Sequence, residues 1–174
     1  MKMKNTQVRV KKLSDKAVIP RRAHETDTGY DLTVLDIDKI EGDVIFFKTG
    51  LAVQPPAGYY FEIFPRSSIS KMPISLANSV AIIDETYTGE VLVAVRVHHS
   101  DMGHDTRRTS YPNGIVEFAG GKPPSMYELA KLILAKKPVF SQLVLRKRLD
   151  CDFVDGELQE TERGSGGFGS TDRV

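Results

Sequence analysis

The chain has 174 residues, enough for one domain with its own core. Its 24 Lys+Arg against 23 Asp+Glu leave a net charge of +1, without the basic excess of a protein that binds nucleic acid directly. A lone cysteine, Cys151, rules out an internal disulfide; no apolar run reaches the length of a membrane span, and the basic opening lacks the apolar stretch of a secretory signal.

A soluble intracellular protein is therefore expected, cytoplasmic or, for a viral chain, in the host cell. In chain order, β-rich runs cover Gln7–Val10, Val44–Thr49, Tyr59–Phe64, Val91–Val97 and Val139–Leu145. Gly50, Pro55–Gly58 and Thr86–Glu90 read as turns between them. The valines at 91, 93, 95 and 97 alternate and should share one strand face. Ser100–Pro124 is polar and irregular. Behind it, Ser125 is a candidate N-cap for a helix that ends in Lys136-Lys137 and is stopped by Pro138. Many short strands and frequent turns indicate a sandwich or jelly roll, with a loop and short helix inserted at about 100–137. The helix reads either as cover for a sheet edge or as a partner-binding appendage. Thr161–Val174, rich in Gly and Ser, lacks apolar periodicity and reads as a flexible tail on a domain of residues 1–160.

Three constellations carry chemical potential. Arg66-Ser67-Ser68 gathers guanidinium, hydroxyl and main-chain donors of the kind phosphate oxygens bind. Asp84 ends an apolar run at Ile82-Ile83 and is expected at the mouth of a buried strand, partly shielded, where a carboxylate can serve as general base. Tyr87 follows in a tight turn before Gly89; a hairpin with a capping Asp and a packing Tyr would look the same. In the tail, Gly164–Gly169 formally fits G-x-G-x-x-G, but it neither follows a strand nor opens a helix within a βαβ unit. What remains is a segment with Arg163, Phe168, Ser170 and Thr171 on a glycine-rich backbone, suited to closing over a nucleotide. His24, His98, His99 and His104 form no zinc spacing with Cys151.

Taken in order, these segments resemble the trimeric dUTPase family. The five matching stretches are Ala23 with Thr26-Asp27-Thr28-Gly29-Tyr30-Asp31-Leu32, Pro65–Ser68, Asn78–Glu90, Val139–Val144 and the glycine-rich tail. The resemblance implies an all-β fold, a distorted jelly roll of the β-clip type, assembled as a homotrimer and hydrolysing dUTP to dUMP and pyrophosphate. It implies Asp84 as general base, Tyr87 under the deoxyribose, and Asn78 with the backbone at Ile82 and Ile83 reading uracil. Arg66, Ser67, Ser68 and Gln142 would hold the phosphates. Asp31 would meet Mg²⁺ through water, the ion itself being carried by the phosphates. Arg163 would neutralise charge in catalysis, Phe168 would stack on uracil, and Gly169, Ser170 and Thr171 would close on the γ-phosphate.

The chain departs from the family pattern at Ser68, Ala81, Lys137-Pro138 and Asp172. Two rival readings have their own signatures. A dCTP deaminase needs a glutamate ten residues after Asp84, where this chain has Ala94. A regulator on the same fold would use the insert at 100–137 as the docking site for a protein partner. Because no motif residue falls in Ser100–Lys137, that whole segment is expected to be dispensable for assembly and activity.

Overall fold

The computed structural model describes residues 6–98, 108–111, 114–117, 125–136 and 138–157. Strands dominate: β1 Arg9–Lys12, β2 Tyr30–Leu32, β3 Asp36–Glu41, β4 Val44–Gln54, β5 Tyr59–Pro65, β6 Ile74–Leu76, β7 Ala81–Ile83, β8 Glu90–Val97, β9 Arg108–Tyr111, β10 Gly114–Glu117 and β11 Ser141–Lys147. A 3₁₀ helix spans Ser67–Lys71, and one α-helix, α1, spans Met126–Lys136. Two antiparallel sheets make the body. One runs β1-β4-β8-β6 with β3 also on β4, the other runs β2-β11-β5-β7, and β9 pairs with β10 as a separate hairpin.

Strand β8 illustrates why the sheets face each other. Val91, Val93, Val95 and Val97 are buried, while Leu92, Ala94 and Arg96 point the other way. From the second sheet, Leu32, Phe61, Ile63, Ile83 and Leu143 enter the same core cluster, and Phe47 meets Phe140 edge-on at 5.8 Å.

Gly50 is not a turn. It sits inside the continuous strand β4, at a register shift between Lys48 and Ala52 against β8. Its φ of 67° suits glycine, and an added Cβ would lie 2.9 Å from Leu35 Cδ1. The buried Thr49 hydroxyl donates to Val91 O at 2.7 Å, and the Gly50 N–H donates to Glu90 Oε1 at 2.8 Å, so the bulge keeps its polar groups satisfied.

The helix forms where the sequence places it, and for the expected reason. The Glu128 N–H donates to Ser125 Oγ at 3.3 Å while Glu128 Oε2 accepts from the Ser125 N–H at 2.8 Å, a reciprocal capping box. The expectation that all of Ser100–Lys137 is dispensable does not survive for the helical part. Leu129, Ala130 and Ile133 are buried and belong to the main core. Leu129→Ala is accordingly expected to cost about 2–5 kcal/mol, seen as a lower urea midpoint at unchanged slope.

Candidate active site

Three of the anticipated residues converge on one open cleft of about 390 Å³, lined in part by Asp31, Arg66 and Gln142. Antiparallel pairing puts Asp31 of β2 opposite Gln142 of β11, which in turn faces Phe64 of β5. Arg66 follows β5, its N–H fixed by Phe140 O at 2.8 Å, and its Nε lies 3.0 Å from Asp31 Oδ1. Both side chains are about one-third exposed or less, and such a pair is worth at most about 1 kcal/mol. It aims the guanidinium without holding it against a stronger anion. The Gln142 amide donates to Pro65 O at 3.3 Å. Gly29 lies against it, and a Cβ there would displace the Gln142 carboxamide from this position.

Ser67 and Ser68 open the 3₁₀ helix that follows Arg66. Ser68 Oγ is buried with no hydrogen-bond partner among the described residues. Further along the same sheet face, Arg146 Nε bonds Glu62 Oε2 at 2.7 Å; that hydrogen bond, then the carboxylate charge, raises the Arg146 pKa above its ordinary value.

The second group gathers around β7. Asn78 is exposed in the turn before it, where Ser79 adopts a φ of 58° and the Val80 N–H reaches Asn78 O at 2.6 Å. Strand β7 pairs with β5 on one side and, among the described residues, with no strand on the other. An open edge of this kind leaves main-chain donors and acceptors without a strand partner. Ile83 turns into the core, while Ile82 is 60% exposed.

Asp84, immediately past this edge, is exposed rather than partly shielded. The apolar run before it belongs to a margin of the sheet, so its end opens to solvent. The turn is set by the Tyr87 N–H donating to Asp84 O at 3.1 Å and the Tyr87 hydroxyl donating to Glu90 O at 2.8 Å. A Cβ at Gly89 would stand 2.6 Å from that hydroxyl. The Tyr87 ring remains 46% exposed and available as a flat surface.

The two groups do not meet within one chain. In the strand order β2-β11-β5-β7, registers put Asp31 and Gln142 level with Phe64, and Ile83 level with Phe61. Normal strand spacing and rise then separate Asp84 from the Asp31–Arg66–Gln142 cleft by on the order of 15–20 Å. The tail residues Arg163, Phe168, Gly169, Ser170 and Thr171 lie outside the described residues.

Sequence reading missed Asp27, Thr28, Phe64 and Arg146 as lining of the cleft. It also missed Glu85, whose Oε2 accepts from the Gly58 N–H at 2.9 Å and lies 3.2 Å from Arg148 Nη1. For Asp27 and Thr28 the signal was their place next to Gly29; for Glu85 it was adjacency to Asp84.

A fold of two antiparallel sheets with an arginine–carboxylate–amide cleft places the chain among β proteins whose cleft carries groups suited to an anionic ligand. The comparisons narrow that class. A family model described as dUTPase matches residues 15–102, and the chain belongs to the dUTPase family. It is 32% identical to the deoxyuridine 5'-triphosphate nucleotidohydrolase of Picosynechococcus sp. over 166 residues, covering 94% of this chain and 97% of that one. Identity to the Heliobacterium modesticaldum enzyme of the same name is 31%, covering 94% and 95%. Among solved structures, a variant of the dUTPase of Staphylococcus bacteriophage 80alpha bound to dUpNHpp superposes with a TM-score of 0.69 at 27% identity, covering 95% of this chain and 98% of that one.

Proposed function

We infer that the chain is a dUTP pyrophosphatase, hydrolysing dUTP to dUMP and pyrophosphate. In a cell this keeps uracil out of DNA and supplies dUMP for thymidylate synthesis. The observation that carries the reading is the exposed Asp84 held on a defined turn beside an open strand edge, in a chain of this family. Asp84 takes a proton from the attacking water as its oxygen bonds the α-phosphorus. The bond from that phosphorus to the bridging oxygen breaks, and pyrophosphate leaves with the electron pair. The β7 edge and Asn78 read uracil, and the exposed Tyr87 ring packs under the deoxyribose. Arg66, Ser67, Ser68 and Gln142 bind phosphate; Arg163, Phe168, Gly169, Ser170 and Thr171 of the tail complete the site.

The donor set fits Mg²⁺ that arrives with the triphosphate. Asp31 and Asp27 are the two carboxylates lining the cleft, too few for a protein cage, and Mg²⁺ favours phosphate oxygens and retained water over such a cage. When bound, the ion offsets phosphate charge; Asp31 would hold its waters and Arg66 would turn to the phosphates.

A homotrimer accounts for the separation of the two half-sites: the cleft of one subunit would face the Asp84 turn of another. The exposed Leu149, Phe153 and Val154 supply apolar surface for such an assembly. No helix among the described residues is long and apolar enough to cross a membrane. The insert, with its β9–β10 hairpin, is a candidate docking site for a protein partner. Work on the phage 80alpha dUTPase, 29% identical with a TM-score of 0.69, links that protein's enzymatic activity to a SaPI-inducing capacity. The deaminase reading gains nothing, since Ala94 carries no group that can activate water.

The test is pyrophosphate release from dUTP, UTP, dTTP and dCTP side by side. dUTP should be preferred on the order of a hundredfold or more, because a ring under the sugar and a main-chain-lined pocket reject a 2′-hydroxyl and a 5-methyl group. Comparable turnover of UTP or dTTP would remove the reading.

A further inference from the structure

We propose that Glu85 is a positioning residue for the Asp84 turn, tying it to the point where the C-terminal arm leaves the body; the proposal rests on Asp84 being the general base. Three chain segments meet at Gly58. This glycine has a φ of 76° and closes the turn between β4 and β5. Its N–H donates to Glu85 Oε2 at 2.9 Å, while its carbonyl accepts from the Arg148 N–H at 2.8 Å. Arg148 follows β11 directly and returns to the same carboxylate oxygen through Nη1 at 3.2 Å. Its Nε also lies 3.3 Å from Asp150 Oδ1.

The arrangement is more specific than a surface ion pair. Glu85 is the residue after Asp84, in the turn whose backbone closes through the Tyr87 N–H and Asp84 O. Strand β7 before the turn is only three residues long and, among the described residues, paired on one side, so it restrains Asp84 weakly. The main-chain N–H of Gly58 is a rigid donor, and binding it through a carboxylate one residue from the base restricts the turn from outside the sheet. A base must stay within about an ångström of its productive position, and a misplacement of that size can cost up to about a hundredfold in rate.

Arg148 adds a link to the arm. Beyond it, residues 149–157 run with Leu149, Phe153 and Val154 exposed, towards the segment that carries Arg163 and Phe168. Arg148 touches Glu85 through its side chain and Gly58 through its main chain. Displacement of the arm root therefore bears on the same junction that holds Asp84.

The experiment compares full-length Glu85→Ala, Glu85→Gln, Arg148→Ala and the double variant Glu85→Ala/Arg148→Ala, with Asp84→Asn in parallel. Steady-state dUTP hydrolysis and thermal unfolding are measured on each. Glu85→Ala is expected to lower kcat by about ten- to a hundredfold with KM within about twofold. Glu85→Gln keeps an acceptor for the Gly58 N–H and should recover most of that loss. Arg148→Ala should lower kcat less, and the double variant should be no slower than Glu85→Ala, because both act through one junction.

A normal kcat in Glu85→Ala, an equal loss in Glu85→Gln, or a rise in KM alone would overturn the proposal. So would a fall in kcat that tracks Tm across the set. A slow Asp84→Asn beside a normal Glu85→Ala would leave the base assignment standing and remove only the positioning role. An active Asp84→Asn would remove both.

Discussion

Asp84→Asn should lower kcat for dUTP by about 10²–10⁴-fold, the range a positioned general base contributes. Binding of a non-hydrolysable dUTP analogue should change little. The asymmetry follows from what the side chain does in the fold. Asp84 is exposed, and its turn closes through its main-chain oxygen, which accepts from the Tyr87 N–H at 3.1 Å. An amide of the same size leaves that bond and the β7 edge intact but cannot take the water's proton. The loss should therefore fall on kcat and kcat/KM equally, with KM nearly constant. Single-turnover kinetics and calorimetric titration with the analogue check both halves. Near-normal turnover would mean that another group is the base.

The parts of the fold legible in the sequence are those whose signals are local. Strand β8 was readable because its valines alternate over a full strand, and α1 because a capping serine, terminal lysines and Pro138 bracket it. Strand β4 was cut short at Gly50 because a bulge and a turn look alike locally. The difference lies in Thr49 bonding Val91, 42 residues away. Three-residue strands such as β2, β6 and β7 have no room for a period. Their existence depends on pairing partners far along the chain. The burial of Leu129, Ala130 and Ile133 was hidden for the same reason, since helical periodicity names a face but not what covers it.

The site divides along the same line. Arg66, Gln142 and Asp31 were each visible within a motif, but their meeting depends on Gln142 reaching Pro65 across 77 residues and on the Asp31–Gln142 register. The exposure of Asp84 was misjudged because an apolar run reads as interior. Here the run forms a strand at the edge of its sheet, among the described residues, with Ile82 turned outward. Glu85 went unread because its partners lie 27 and 63 residues away.

A chain ending at Glu162 should assemble and bind nucleotide weakly, yet turn over dUTP on the order of 10²–10³-fold more slowly, because Arg163 and the Phe168 ring are lost from the closing segment. The more informative result comes from mixing. The cleft around Arg66 and Gln142 and the turn at Asp84 stand on the order of 15–20 Å apart in one chain. Reacting groups must approach within about 3–3.5 Å. A substrate held by both half-sites of one chain would have to bridge that distance, and a symmetric assembly in which each subunit lends a part would bring them together. The tail can then be lent as well. Truncated chains keep Asp84 and lack a tail; full-length Asp84→Asn chains keep the tail and lack the base. After verified subunit exchange at equal amounts, random assembly should give about a quarter of the sites an intact Asp84 from one chain and an intact tail from another. Activity should then rise well above the sum of the two parents, which are each nearly inactive alone. If mass spectrometry confirms mixed trimers and activity does not return, each tail closes over the Asp84 of its own subunit.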